Sequence, residues 1–140
     1  LVNTMQDNLE IFDVIYAEGN EFEIPAIQSI MGNDWKGKAD IVTDDFVIDI
    51  KTTNDISKFM YSCKTYNYDS QAYLYQRFFN RPLRFYVIDK QSFQLGIYDC
   101  SANFIEGGKN KVEKATEIYN KFFSNDKSHD INNYIHKEIL

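Results

Sequence analysis

The chain has 140 residues, enough for one domain with its own core and too few for two ordinary ones. Hydrophobic residues at 44% and charged residues at 26% match soluble-protein usage, and six Gly with two Pro exclude a linker or low-complexity chain. The net charge of −6 counts, as a total, against a nucleic-acid-coating protein, which is usually basic.

Thr4 opens a predicted helix, with Asp7 three residues on where a capping-box acid sits. Met5, Leu9, Phe12 and Tyr16 follow at helical spacing, and Gly19-Asn20 ends the pattern. An extended stretch is expected over 21–31, with Pro25 marking an edge position or a bulge. Residues 35–42 and 46–52 read as two strands joined by the tight turn Thr43-Asp44-Asp45. A helical region begins after Thr53-Asn54 with Asp55 as an early acidic residue, breaks near Tyr66-Asn67 and restarts near Asp69, running to Asn80 before Arg81-Pro82. Residues 83–89 and 93–99 form a second pair of strands. Residues 109–123 set Val112, Ala115, Ile118, Tyr119 and Phe122 on one helical face. The polar tail 126–140 spaces Ile131, Tyr134, Ile135 and Ile139 as a docking helix would.

The order predicts an α/β fold with a mixed sheet and packed helices, in one domain over 1–140. The chain starts at Leu1 rather than Met, as a fragment of a longer protein would. No run approaches the roughly 20 apolar residues of a membrane span, and no secretory signal opens the chain. Cys63 and Cys100 are too few for a disulfide scaffold or a four-cysteine metal site. They read as reduced structural thiols of a cytoplasmic protein.

Charge is unevenly placed. Residues 1–50 carry a net −9, residues 51–90 a net +4 and residues 91–140 a net −1. The change of sign falls at position 50/51, inside the second strand. In that strand Asp49 and Lys51 share a face, while Ile48 and Ile50 point to the other. With Asp44 and Asp45 as the two loop residues, Asp40 falls directly opposite Asp49, and Lys38 opposite Lys51. Directly opposed like charges destabilise a sheet unless a cation lies between them. A divalent metal such as Mg²⁺ takes hard oxygen ligands of this kind. Two acids, a lysine and a hard metal suit phosphodiester hydrolysis. The plainer alternative sets Asp40 at a solvated strand edge and pairs Asp49 with a surface lysine.

The segment "GKADIVTDDFVIDIKTT" resembles the signature of the PD-(D/E)XK nuclease superfamily, an acid, a short hairpin, then acid–x–Lys. "DIKTTNDISKF" followed by "YNYDSQAYLYQ" is similar to RecE-type (exonuclease VIII-like) phage and prophage exonucleases, with Thr-Thr after the DxK and a later Q-x-x-x-Y helix. The likeness covers roughly residues 21–80.

The resemblance implies a restriction-endonuclease-like core in α-β-β-β-α-β order. It implies Mg²⁺ as cofactor, with Mn²⁺ substituting, and DNA as substrate, most directly double-stranded ends. Asp40, Asp49 and the backbone carbonyl of Ile50 would be metal ligands, and Lys51 the catalytic lysine. Gln71 and Tyr75 would orient the DNA end or its phosphates. Such members carry a further His or Glu ligand upstream. His129 and His136 lie in the tail and read as surface residues, so Glu18, Glu21 and Glu23 are the candidates, with Glu23 leading. Lys58, Lys64, Arg77, Arg81 and Arg84 are candidate phosphate contacts. Most of the aromatic residues read as core, with Tyr66 or Tyr68 as a candidate wedge at a DNA end. Relatives of this kind form rings that suit processive digestion and work with single-strand annealing proteins. Two alternatives stay open. One is a structure-specific endonuclease. The other is a non-catalytic nucleic-acid-binding or assembly domain that has kept the fold.

Overall fold

The computed structural model describes residues 9–124 and 128–139, with only the backbone described for Leu9, Glu10 and Phe12. The predicted Thr4 cap with Met5 and Asp7 lies outside the described residues. Helix α1 (Leu9–Ile15) is followed by strands β1 (Glu21–Ile30), β2 (Asn33–Val42) and β3 (Val47–Thr53). A 3-10 turn (Ile56–Lys58) leads into α2 (Phe59–Thr65) and α3 (Tyr68–Phe79). Strands β4 (Leu83–Asp89) and β5 (Leu95–Asp99), helix α4 (Ala102–Phe122) and a 3-10 turn (Ile131–Tyr134) complete the described chain.

The five strands form one sheet in the order β1-β2-β3-β4-β5. Neighbours run antiparallel except β3 and β4, which are parallel because α2 and α3 form the crossover between them. The predicted mixed sheet is therefore present, with β1 at an edge where Pro25 needs no ladder bond on its outer side. The β1–β2 hairpin was not legible in the residues. Met31 and Gly32 both take positive φ, 53° and 82°, which closes Ile30 onto Asn33 in a two-residue turn.

Two apolar layers flank the sheet. On one face Ile11 and Ile15 of α1 pack on Ile41, Ile48, Tyr86 and Ile88. On the other, Phe59, Cys63 and Ala72 of α2 and α3 pack on Ala39, Val47, Leu83, Phe85 and Val87. Each fully buried large side chain contributes about 1.5–3 kcal/mol. Asp89 ends β4 with its carboxylate accepting from the N–H groups of Ile56, Gln91 and Ser92. It thereby ties the crossover to the sheet.

Helix α4 starts seven residues before its predicted start at 109. Ser101 caps it by accepting from Phe104 N, and the helix runs straight through Gly107-Gly108. The glycines serve packing. A Cβ on Gly108 would lie 2.0 Å from the carbonyl oxygen of Asp69 on α3. The buried stripe is Gly108, Val112 and Thr116, whereas Ile118 and Tyr119 face solvent, contrary to the predicted face. Among its described residues, 128–139, the tail forms no α-helix. Asp130 caps a single 3-10 turn by accepting from Asn132 N, and Tyr134 rests edge-on against Phe122, with ring centroids 5.0 Å apart. Short polar side chains such as Asn132 and Asn133 compete with helical backbone bonds.

Among the described residues, no helix is long and apolar enough to cross a membrane. Cys63 and Cys100 are both free.

The α3–α4 contact generates an asymmetric prediction. Gly108→Ala forces the two helices apart and should destabilise by about 2 kcal/mol or more. Gly107→Ala, whose Cβ would sit 3.4 Å from Asp69 Oδ2, should be neutral or stabilising by up to about 1 kcal/mol through helix propensity. Urea unfolding of both variants checks this, and equal effects would contradict the packing account.

Candidate functional site

Strand β2 does not alternate regularly. Ala39 packs with Phe59 and Phe85, yet Ile41, two residues on, packs with Ile48 and Tyr86 on the opposite face. The alternation slips at Asp40. Glu23 lies across from it, between the register pairs Phe22↔Ile41 and Ile24↔Ala39, and holds φ at 54°. A non-glycine residue there costs roughly 1–2 kcal/mol.

The slip coincides with the end of the β2–β3 ladder. The paired residues are Val42↔Val47 and Ile41↔Ile48, the predicted register. Thr43 supports the turn, its Oγ1 accepting from Phe46 N at 2.9 Å while its N–H donates to Phe46 O. Beyond Ile48 the strands part. Oδ2 of Asp40 accepts from Ile50 N at 2.8 Å, a side chain standing where a strand carbonyl would be. A strand residue directs its N–H and C=O to the same side, so the Ile50 carbonyl opens onto the same gap.

Asp49 lies at this break, on the helix-covered face, and is only 5% exposed. Its Oδ1 accepts from Gln71 Nε2 on α3 at 3.0 Å. Lys51 Nζ lies 2.9 Å from Oδ2. That is an ion-pair contact, and with Lys51 as its one neighbour of opposite charge among the described residues Oδ2 keeps a second lone pair unused. Lys51 also lies over the ring of Tyr68, 4.3 Å from its centroid. Burial raises the Asp49 carboxyl to a pKa of about 6, against the downward pull of Lys51. The neighbouring carboxyl of Asp40 pushes it the same way as burial.

Tyr75, one turn after Gln71 on α3, clamps the strand rather than the acids. Its hydroxyl donates to Lys38 O at 3.0 Å and accepts from Lys38 N at 3.3 Å. Gly37 makes this approach feasible, since a Cβ there would sit 2.6 Å from a Tyr75 ring carbon. Lys38 does not face Lys51, as strict alternation predicted. Past the slip it pairs instead with Glu23 at 2.7 Å, a solvent-exposed contact of small energetic value. Glu23 is thus engaged with Lys38.

The remaining candidates are dispersed. Lys58 pairs with Asp55 at 3.4 Å on the 3-10 turn. Lys64 and Arg77 are exposed, and neither has an ion pair among the described residues. Arg84 is engaged elsewhere. Its Nε and Nη2 donate to Asp99 at 2.7 and 3.1 Å, and its guanidinium lies over Phe46. Tyr68 is no wedge, because its ring packs between Phe59, Phe85 and Lys51. Its service as a bed for Lys51 was missed, although it stands three residues before Gln71 on the same helical face.

Among the described residues no three His, Cys, Asp or Glu side chains converge. The donors at the break are two carboxylates, one with an unused lone pair, and an inward backbone carbonyl. Such a hard, partial oxygen set fits Mg²⁺, which keeps several waters, better than Zn²⁺ with its N/S preference.

The raised Asp49 value has a definite consequence in metal-free protein. The folded state holds this proton more tightly than the unfolded chain, whose ordinary value is 3.8. Its contribution to stability is present below pH 4 and is lost as pH rises to about 6, by about 3 kcal/mol at most. In EDTA, wild type should therefore lose stability relative to Asp49→Asn between pH 4 and 7. Parallel unfolding curves across that range would contradict the burial account.

Comparison with known proteins follows the same outline. A crystal structure of a "Putative exonuclease" from Eubacterium rectale superposes with a TM-score of 0.77 at 14% identity, over 99% of this chain. The chain spans 60% of that structure's length. A second structure, SSO0001, reaches a TM-score of 0.46 at 16% identity, over 76% of this chain and 56% of its own, and carries no weight. No curated protein matches. Residues 2–132 match the family described as "PDDEXK-like domain of unknown function (DUF3799)", and the chain belongs to that family, with the restriction-endonuclease-like fold its sheet displays.

Proposed function

We propose that this domain is a metal-dependent deoxyribonuclease, a RecE-like exonuclease that hydrolyses phosphodiester bonds at the ends of linear double-stranded DNA. One observation carries the reading. Asp40, Asp49 and Lys51 meet where the β2–β3 ladder breaks, and the buried Asp49 carboxylate is only partly satisfied by Lys51 and Gln71. The family membership and the neighbour named as an exonuclease support it.

Asp40, Asp49 and the Ile50 carbonyl would hold Mg²⁺, with Mn²⁺ as a substitute. When bound, such an ion supplies Lewis-acid polarisation of the phosphate and an acidified water. Lys51, held by Asp49 and the Tyr68 ring, is placed to orient the attacking water and offset developing negative charge on phosphate. Gln71 fixes the rotamer of Asp49 through Oδ1, which leaves Oδ2 to face Lys51 and, in this reading, the metal. Tyr75 is a positioning residue that anchors β2 two residues before Asp40. Lys58, Lys64 and Arg77 would contact phosphates along the strand. Glu23 joins the ligand set only by leaving Lys38.

The test is digestion of linear and covalently closed duplex DNA with Mg²⁺ or Mn²⁺. Linear DNA should be degraded and the circle spared. Lys51→Ala and Asp49→Asn should each lower the rate by roughly 100-fold or more. Tyr75→Phe should act through β2 and cost less. Undiminished activity in the Lys51 and Asp49 variants would overturn the assignment. Cutting of the circle would point to an endonuclease, and absence of any cleavage to a non-catalytic assembly domain.

A further inference from the structure

The corner between α2 and α3 carries an aromatic step leading out of the site. Tyr68, under Lys51, stacks against Tyr66 with ring centroids 5.8 Å apart and planes 28° apart. Tyr66 is 65% exposed, so the ring that continues the stack stands in water. Asn67 between them takes a left-handed φ of 54°, and its Oδ1 accepts from Lys111 Nζ at 3.1 Å. The same ammonium donates to Asp69 Oδ1 at 3.0 Å. The corner is thus pinned to α4, and the Tyr66 ring is carried by a fixed backbone. Beside it α2 exposes Tyr61, 72% in solvent, and Lys64 one turn further on the same face.

We propose that Tyr66 is a stacking platform for one nucleobase of the strand being cut, and that it takes a terminal or unpaired base rather than one inside a duplex. The proposal rests on the nuclease reading and names its substrate class more narrowly. The physical grounds are three. The outer Tyr66 ring is continuous, through Tyr68, with the lysine placed at the scissile phosphate. Lys64, exposed and with no ion pair among the described residues, supplies a cation for a neighbouring phosphate. Base–aromatic stacking tolerates any sequence because every base has a π-face. A base inside a duplex has both faces covered, so only a terminal or unpaired base can take this position.

The test uses short fluorescein-labelled single strands titrated in EDTA, where nothing is cleaved, with anisotropy as the readout. One strand is intact and the others carry a single abasic site at successive positions. Tyr66→Leu keeps apolar bulk and loses the ring, while Tyr66→Phe keeps the ring. Tyr66→Leu should weaken binding of the intact strand roughly 5- to 150-fold, and Tyr66→Phe should bind within about twofold of wild type. At one abasic position wild type should lose a similar factor, and Tyr66→Leu should lose nothing further. Equal binding by wild type and Tyr66→Leu, or losses that multiply at every abasic position, would overturn the platform. Cleavage of linear DNA without this coupling sinks the platform alone. A wild type that neither binds nor cuts DNA sinks the nuclease reading and the platform with it.

Discussion

The structure is organised around a buried carboxylate. Asp49 sits on a strand between apolar neighbours, where an unpaired charge costs several kcal/mol. Lys51 and Gln71 offset part of that cost, one by charge and one by a hydrogen bond. Neither saturates it, since Oδ2 keeps an unused lone pair and Asp40 adds a second acid. A regular antiparallel ladder would place a backbone carbonyl where Asp40 now reaches Ile50 N. The broken rung is what lets two acids and a backbone carbonyl face one gap.

Much of the surrounding fold serves to hold that break. The crossover through α2 and α3 makes β3 and β4 parallel and lays Gln71, Tyr68 and Tyr75 over the end of the hairpin. Helix α4 fixes α3 from behind, with Gly108 against the Asp69 backbone and Lys111 on the Asp69 carboxylate. On the far face, α1 covers Ile48, so β3 is buried on both sides. The strain at Glu23 belongs to the same device, because it lets β1 follow β2 through the slip without losing register.

Legibility in the sequence followed the range of the interaction. The β2–β3 register was readable because a short loop and its flanking Thr43 and Phe46 decide it locally. The i, i+4 pair Gln71 and Tyr75 was readable as one helical face, but not that Tyr75 would seize the strand backbone at Lys38. Strict two-residue alternation misplaced Lys38, because the slip at Asp40 arises from three strands packing together. Arg84 was read as free for phosphate, since its partner Asp99 lies on the next strand. The start of α4 was missed because Gly107-Gly108 reads as a breaker until the helix it packs against is known.

In the nuclease reading proposed above, the Asp40–Asp49 gap is a divalent-cation site. Calorimetric titration of Mg²⁺ and Mn²⁺ into wild type, Asp40→Asn and Asp49→Asn, at a pH above the Asp49 value, tests it most directly. Saturable binding to wild type is expected, with its loss in both variants while each variant stays folded. Absence of binding to wild type, or binding that survives both substitutions, would contradict it.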